Sequence, residues 1–180
     1  MKNDTRAKLI DITFDEMFTH GYQGASLSII LGKAGINKGS MYHFFKNKKE
    51  MALAAIEEKL GGFAPRVQAP YLDTYFSDLR ATGSVDLSRG CPLANVIQEM
   101  SNIDEDFHKL LHEIYQNIKT NAKAVFDKAI EAGEMAPTDT TKLASISFMI
   151  FEGGMLGAKI AKDSQEYLLA IDALEALVRN

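Results

Sequence analysis

The chain has a single cysteine, Cys91, in 180 residues. That excludes an internal disulfide framework and a zinc site built on several thiolates. No run of eighteen apolar residues occurs, and Met1 leads into charged and polar sequence instead of a signal peptide's apolar segment. A cytoplasmic protein that makes no use of a membrane is therefore expected. Strand-like alternation between turn signals is missing, as are internal repeats and low-complexity segments. Gly153, Gly154 and Gly157 follow no strand and lack the Lys-Ser/Thr of a phosphate loop, which removes a nucleotide-binding reading. No cofactor is expected. What remains is ordinary: 46% hydrophobic and 24% charged residues, and enough length to bury a real core in one or two small domains.

The charge is unevenly laid along the chain. Against a net charge of −4, residues 1–50 carry +3, which leaves −7 for residues 51–180. A basic end on an acidic body fits a protein that meets phosphate at one end, and a solvated charged face gives the same count.

Helical signals run throughout. Over residues 6–20, Leu9, Ile10, Ile12, Thr13, Phe14, Met17 and Phe18 recur mostly at three- and four-residue spacing until Gly21. Ser26 is placed to cap a short helix with Leu27, Ile30, Leu31 and Ala34, closed by Gly35. Residues 38–45 read as a further short helix, and Asn47 with Glu50 resembles a capping box opening the next. Beyond Gly61-Gly62 the pattern continues in helices punctuated by Pro65, Pro70, Gly83, Gly90, Pro92, Gly133 and Pro137. The expectation is an all-α fold of about nine helices, with a head over 1–60 and a body over 61–180.

The head carries the specific signal. A helix-turn-helix joins two helices by a three- or four-residue turn, commonly with glycine, so that the second can enter a major groove. Gly35 can supply the left-handed turn and Ile36 can plug the angle between the helices. Met41, Phe44 and Phe45 would face inward, leaving Lys38, Ser40, Tyr42 and His43 outward. Gly21-Tyr22, Ser26-Leu27 and the run from Ala34 through Asn37, Lys38-Gly39-Ser40, Tyr42-His43 and Lys46 to Lys48 resemble the head of the TetR family. The resemblance implies that Lys38, Gly39, Ser40 and His43 face bases or nearby phosphates. It also implies that Tyr42 and Lys46 contact phosphate, and that Lys48 opens a helix whose amides suit an anion. Ser26 and Asn37 complete the DNA-binding candidates. The family often has Arg at the position of Ser28 and an acid at Ile29, so the first helix of the pair departs from the pattern.

For the body the resemblance implies a small-molecule effector site and a homodimer formed through the last two helices, over about 138–162 and 164–180. Small residues Ser147, Gly153, Gly154, Gly157 and Ala158 would permit close helix approach there. Cys91 precedes Pro92 at a helix start, where amides and the helix dipole, with Arg89 nearby, could stabilise a thiolate. The stretch around Gly90-Cys91-Pro92 resembles a motif in one branch of the family, some members of which respond to electrophiles or oxidants. Plain burial of a small apolar side chain is the alternative. Tyr75, Met100, Phe107, Tyr115 and Phe151 are candidate effector-lining residues. His108 and His112, four apart on one helix, have no third ligand at motif spacing, and no metal is assigned. The expected function is a ligand-responsive repressor. Alternatives are an activator, a helical adaptor, or a small enzyme using Cys91 with His108 or His112.

Overall fold

The computed structural model describes residues 2–179, with side chains from Asp4 onward. Met1 and Asn180, the outer ends of the two expected domains, lie outside the described residues, as does the side chain of Lys2. Nine helices and no strand occur among the described residues: α1 (Lys2–Gly24), α2 (Leu27–Ala34), α3 (Lys38–Met41), α4 (Lys48–Leu60), α5 (Tyr71–Thr82), α6 (Pro92–Met100), α7 (Glu105–Glu131), α8 (Thr140–Ala161) and α9 (Gln165–Arg179). The all-α expectation holds.

The helices group into two compact units. One takes the chain through Phe63 together with Asn95–Ile114; the other takes Ala64–Ala94 and the chain from Tyr115. The body expected as one stretch from residue 61 is thus interrupted: most of α6 and the first ten residues of α7 belong to the head's unit. Nothing local marks this, because a helix carries no sequence signal at the point where its packing partner changes.

In the first unit, α1 packs on α2 and α4. Leu9, Ile10, Met17, Ile30, Met41, Met51 and Ile56 are buried there, each contributing roughly 1.5–3 kcal/mol by removal from water. Gly21 breaks α1 with φ 73 and ψ 167. Glu16 is buried to 2% exposure and accepts from the Lys33 ammonium of α2. In the second unit, α8 and α9 form an antiparallel-type pair joined by the short link at Lys162, and α5 packs on α9. The Glu134 carboxylate accepts the Tyr71 and Leu72 amides at 2.9 and 2.8 Å, capping α5 from about 60 residues away in sequence.

By length and composition α8 could cross a membrane, and 39% of its most apolar window is buried within the chain. Its glycines have a definite use. A Cβ on Gly154 would stand 2.9 Å from the Ala170 Cβ, and one on Gly157 would stand 3.0 Å from the Glu166 Cβ. These two therefore let α9 close on α8 within one chain; only Gly153 of the three faces open space. Of the small residues expected to permit close helix approach, Gly154 and Gly157 thus do so between α8 and α9 of one chain.

Candidate functional site

The head is built as a turn with two capped ends. Gly35 adopts the left-handed conformation (φ 71, ψ 30) and donates its N–H to Gly32 and Leu31 carbonyls, ending α2. The Lys8 ammonium reaches across from α1 to the Ala34 carbonyl at 2.9 Å, satisfying another free acceptor of that end. After Ile36, Asn37 caps α3 by accepting the Ser40 N–H at 2.8 Å. Asn37 is thereby committed to the fold. Ser26 sits in the N-cap position of α2 with no side-chain cap bond, its hydroxyl paired instead with that of Ser28 at 2.8 Å.

Past α3 the chain is shorter-coiled than expected. The α-helix ends at Met41, and Tyr42 to Phe44 are turns held by the His43 and Phe44 amides on the Ser40 and Met41 carbonyls. Gly39 lowers helix propensity within so short an element. Met41 and Phe45 are buried and Phe44 is half-buried, while Lys38, Gly39, Tyr42 and His43 are exposed and Ser40 is partly so. Lys38 lies over the Tyr42 ring at 5.9 Å. Asn47 then caps α4 through the Glu50 N–H, and the Glu50 carboxylate accepts the Lys46 N–H, both at 2.8 Å. This is the expected box, displaced by one residue on its second arm.

The basic residues of the head divide sharply. Arg6 pairs with Glu58, Lys33 with Glu16, and Lys49 with Asp104 and Asp106. Lys48 donates to the Tyr22 carbonyl and stands 4.4 Å over its ring, and burial lowers its ammonium's affinity for a proton. Lys48 thus brings its place in the first turn of α4 to the candidate surface, while its half-buried ammonium is turned to Tyr22. Among the described side chains of residues 4–50, Lys8, Lys38, Lys46 and Lys48 carry no ion pair, and of these Lys8 and Lys48 are held by the Ala34 and Tyr22 carbonyls. The surface offered outward is Lys38, Gly39, Ser40, Tyr42, His43 and Lys46, beside the capped start of α4.

The expected effector residues separate. Met100 and Phe107 belong to the head's unit, where Phe107 is fully buried against Tyr22 with ring centroids 4.8 Å apart. Tyr75, Cys91, Tyr115 and Phe151 belong to the body. There Tyr75 packs edge-on to Phe76 and Phe126 and shares a buried hydrogen bond with Ser147. Tyr115 meets Phe148, and Phe151 meets Tyr167, both as edge contacts.

Cys91 is 8% exposed, and its thiol is pushed up to about 12. Burial is the main cause and the Glu152 carboxylate adds to it, against which the Leu93 and Ala94 amides work too weakly. The stabilised thiolate expected at this helix start is corrected: desolvation outweighs the dipole. Glu152, which sequence spacing does not single out, is itself pushed up by burial, and its Oε1 is buried without a hydrogen-bond partner. A cavity of about 440 Å³ opens elsewhere in the body, beside Met135, Pro137, Leu143, Ile146 and Leu177; none of the expected effector residues lines it.

Comparison with known proteins settles the family. Residues 9–55 match the profile of bacterial regulatory proteins of the tetR family, and residues 70–174 match the Tetracyclin repressor-like C-terminal domain. The chain belongs to the TetR family. It is a DNA-binding transcriptional regulator and not an enzyme, which removes the Cys91–His108 or His112 enzyme from consideration. An HTH-type transcriptional regulator in the lacX 3′ region of Lactococcus lactis is 30% identical over 130 residues, covering 64% of this chain and 65% of that protein. The transcriptional regulator AcuR of Cereibacter sphaeroides is 29% identical over 164 residues, 84% of this chain and 75% of that protein. The reduced form of Escherichia coli NemR has the same fold, with a TM-score of 0.87 at 21% identity over 97% of this chain and 98% of that one.

Proposed function

We propose that this TetR-family regulator is a homodimeric repressor. It leaves a near-palindromic operator when a small apolar or thiol-reactive effector enters the body, and it acts in the cytoplasm. The observation that carries the DNA reading is the exposed surface of Lys38, Gly39, Ser40, Tyr42, His43 and Lys46, set by the left-handed turn at Gly35. Lys46 and Tyr42 give phosphate contacts and hence affinity; Ser40 and His43, with the close backbone approach allowed at Gly39, give sequence choice. The head is the DNA-binding domain, ending near residue 60, and the remaining chain is regulatory.

The dimer reading rests on a stripe left uncovered in one chain. Ile146, Met149, Leu156 and Ile160 of α8 are 41–82% exposed, with Gly153 open between them and Leu169 and Leu177 exposed on α9. On α8 the spacing alternates between three and four residues, as in a helix seam built for a partner helix. A two-fold pair would present two heads to successive major grooves. An effector bound more tightly by a state with misplaced heads would lower operator affinity.

The effector site is assigned to the interior of the body around Cys91, Glu152, Tyr75 and Phe151, with Tyr115 beside it. A buried carboxyl oxygen without a partner is costly unless a ligand supplies a donor, which supports placing it there. A thiol-reactive effector must also open this interior, because the resting thiol is protonated and covered. Selection of bound sequences from random duplex DNA, with and without a maleimide, tests the whole reading. Enrichment of a palindrome, lost on maleimide treatment and retained in Cys91→Ser, is the expected result. Failure to enrich any sequence rejects the repressor.

A further inference from the structure

The carboxylate of Glu99 makes a contact that neither the DNA surface nor the effector interior accounts for. Its Oε2 accepts the Tyr22 N–H at 2.7 Å and its Oε1 accepts the Gln23 N–H at 2.9 Å. Those amides are available because α1 breaks at Gly21. Two amides on one carboxylate form a charge-assisted pair, stronger than neutral hydrogen bonds. The fit is matched from the other side, since a Cβ on Gly21 would lie 2.8 Å from Glu99 Oε2. Glycine at this position supplies both the left-handed backbone and the space for the carboxylate.

Tyr22 passes this grip onward. Its carbonyl accepts from Lys48, the first residue of α4, whose ammonium also covers its ring, while the ring packs on Phe107 of α7. Lys49, the next residue of α4, is held by Asp104 and Asp106 at the start of α7. The end of α1 and the start of α4 are thus tied to α6 and α7 within one compact unit. Between α1 and α4 in the chain lie α2 and α3, and α1 packs on both α2 and α4.

We propose that Glu99 is a positioning residue for operator recognition, clamping the broken turn of α1 and so fixing how α3 is presented to DNA. The proposal rests on the reading that the α3 surface reads DNA sequence. Non-specific binding depends on cations meeting phosphates and is indifferent to the clamp; specific binding needs α3 held at one angle in the groove. Glu99→Gln keeps the size but has one carbonyl acceptor, and its amide group turns a donor toward the second backbone donor. Glu99→Asp keeps the charge and shortens the reach.

The test uses the full chain, a duplex carrying the sequence it selects, and a scrambled duplex, with dissociation constants from fluorescence anisotropy. Glu99→Gln should weaken the selected duplex roughly tenfold, as for loss of one charge-assisted bond. The scrambled duplex should bind as before, and melting should show an intact fold. Glu99→Asp should fall between. Gly21→Ala should reproduce the specific defect, and combining it with Glu99→Gln should add little, because both disable the same clamp. Unchanged specific affinity in Glu99→Gln, additive losses in the double variant, or equal losses on both duplexes with a lowered melting temperature would each overturn the proposal. The unsubstituted protein is the control for its foundation: if it selects no sequence, the DNA reading of α3 falls first and takes the clamp's role with it.

Discussion

Two helix starts, one in each unit, carry the same dipole and do opposite things. In the head, α4 opens behind Asn47 with Lys46 exposed beside it, where the proposed DNA reading puts a phosphate. In the body, α6 opens behind Cys91, where the amides of Leu93 and Ala94 face a thiol that remains protonated. The dipole is worth about 0.3–1 kcal/mol at an exposed end. Burial of a charge costs more than that, so a helix start favours an anion where water still reaches it and loses to desolvation where it does not.

The contrast extends to the surfaces. The head ties most of its cations to its own acids and carbonyls, whereas the body leaves large apolar side chains outside. The largest expected effect comes from spoiling that body surface. Leu156→Glu, which sets like charges against each other across a two-fold seam, should give a monomer in sedimentation velocity. It should also cut operator affinity at least about a hundredfold. A dimer that persists with unchanged affinity moves the interface elsewhere.

Next in size is one of the head's exposed cations, Lys46. Lys46→Ala should weaken all duplexes by several-fold and reduce the salt slope by about one for each phosphate that this ammonium neutralises. Lys33→Ala, by comparison, should leave the salt slope alone and lower the melting temperature, since Glu16 would remain buried without its partner. A reduced salt dependence in Lys33→Ala would place that ammonium on DNA.

The buried start of α6 is tested by pH. Cys91 and Tyr75 are each raised to about 12, from ordinary values of 9.0 and 10.0, chiefly by burial. A folded value above the unfolded one means that the unfolded chain releases its protons first. The stabilisation is therefore complete below about pH 9 and is lost as pH rises toward 12. Melting temperature should decline over this range, and less steeply in Cys91→Ala. Identical slopes would mean that the thiol is solvated.

The smallest effect separates two caps of the head. Asn47→Ala removes a cap bond and should cost about 1 kcal/mol in urea unfolding. Ser26→Ala should cost only a few tenths, because that hydroxyl caps no amide. Equal losses would show that Ser26 reaches the helix in solution.

Much of the head is legible in the sequence because its signals are local. Gly35 at a turn, Asn47 with Glu50, and the apolar spacing of Leu9, Ile10, Thr13 and Met17 each act within a few residues. The length of α3 is not, because the apolar pair Phe44-Phe45 continues a helical period through what the structure forms as turns. The body's roles are harder to see. Cys91 reads either as a helix-start thiol that amides could ionise or as a small buried side chain, and only the arrival of Glu152, 61 positions on, shows what surrounds it. Gly154 and Gly157 read as part of a dimer stripe, a pattern that a buried helix of one chain also shows; the atoms nearest them belong to α9.

By itself, the order of residues determined the all-α class, the helix-turn-helix and the TetR-family resemblance, since periodicity, caps and turn glycines work over a turn or two of chain. Only the tertiary structure decided which cations remain for DNA, that Cys91 is held as a thiol, and that Glu99 grips the turn broken at Gly21. Those outcomes depend on desolvation and on partners brought together from far apart, and neither is written in the local spacing of the chain.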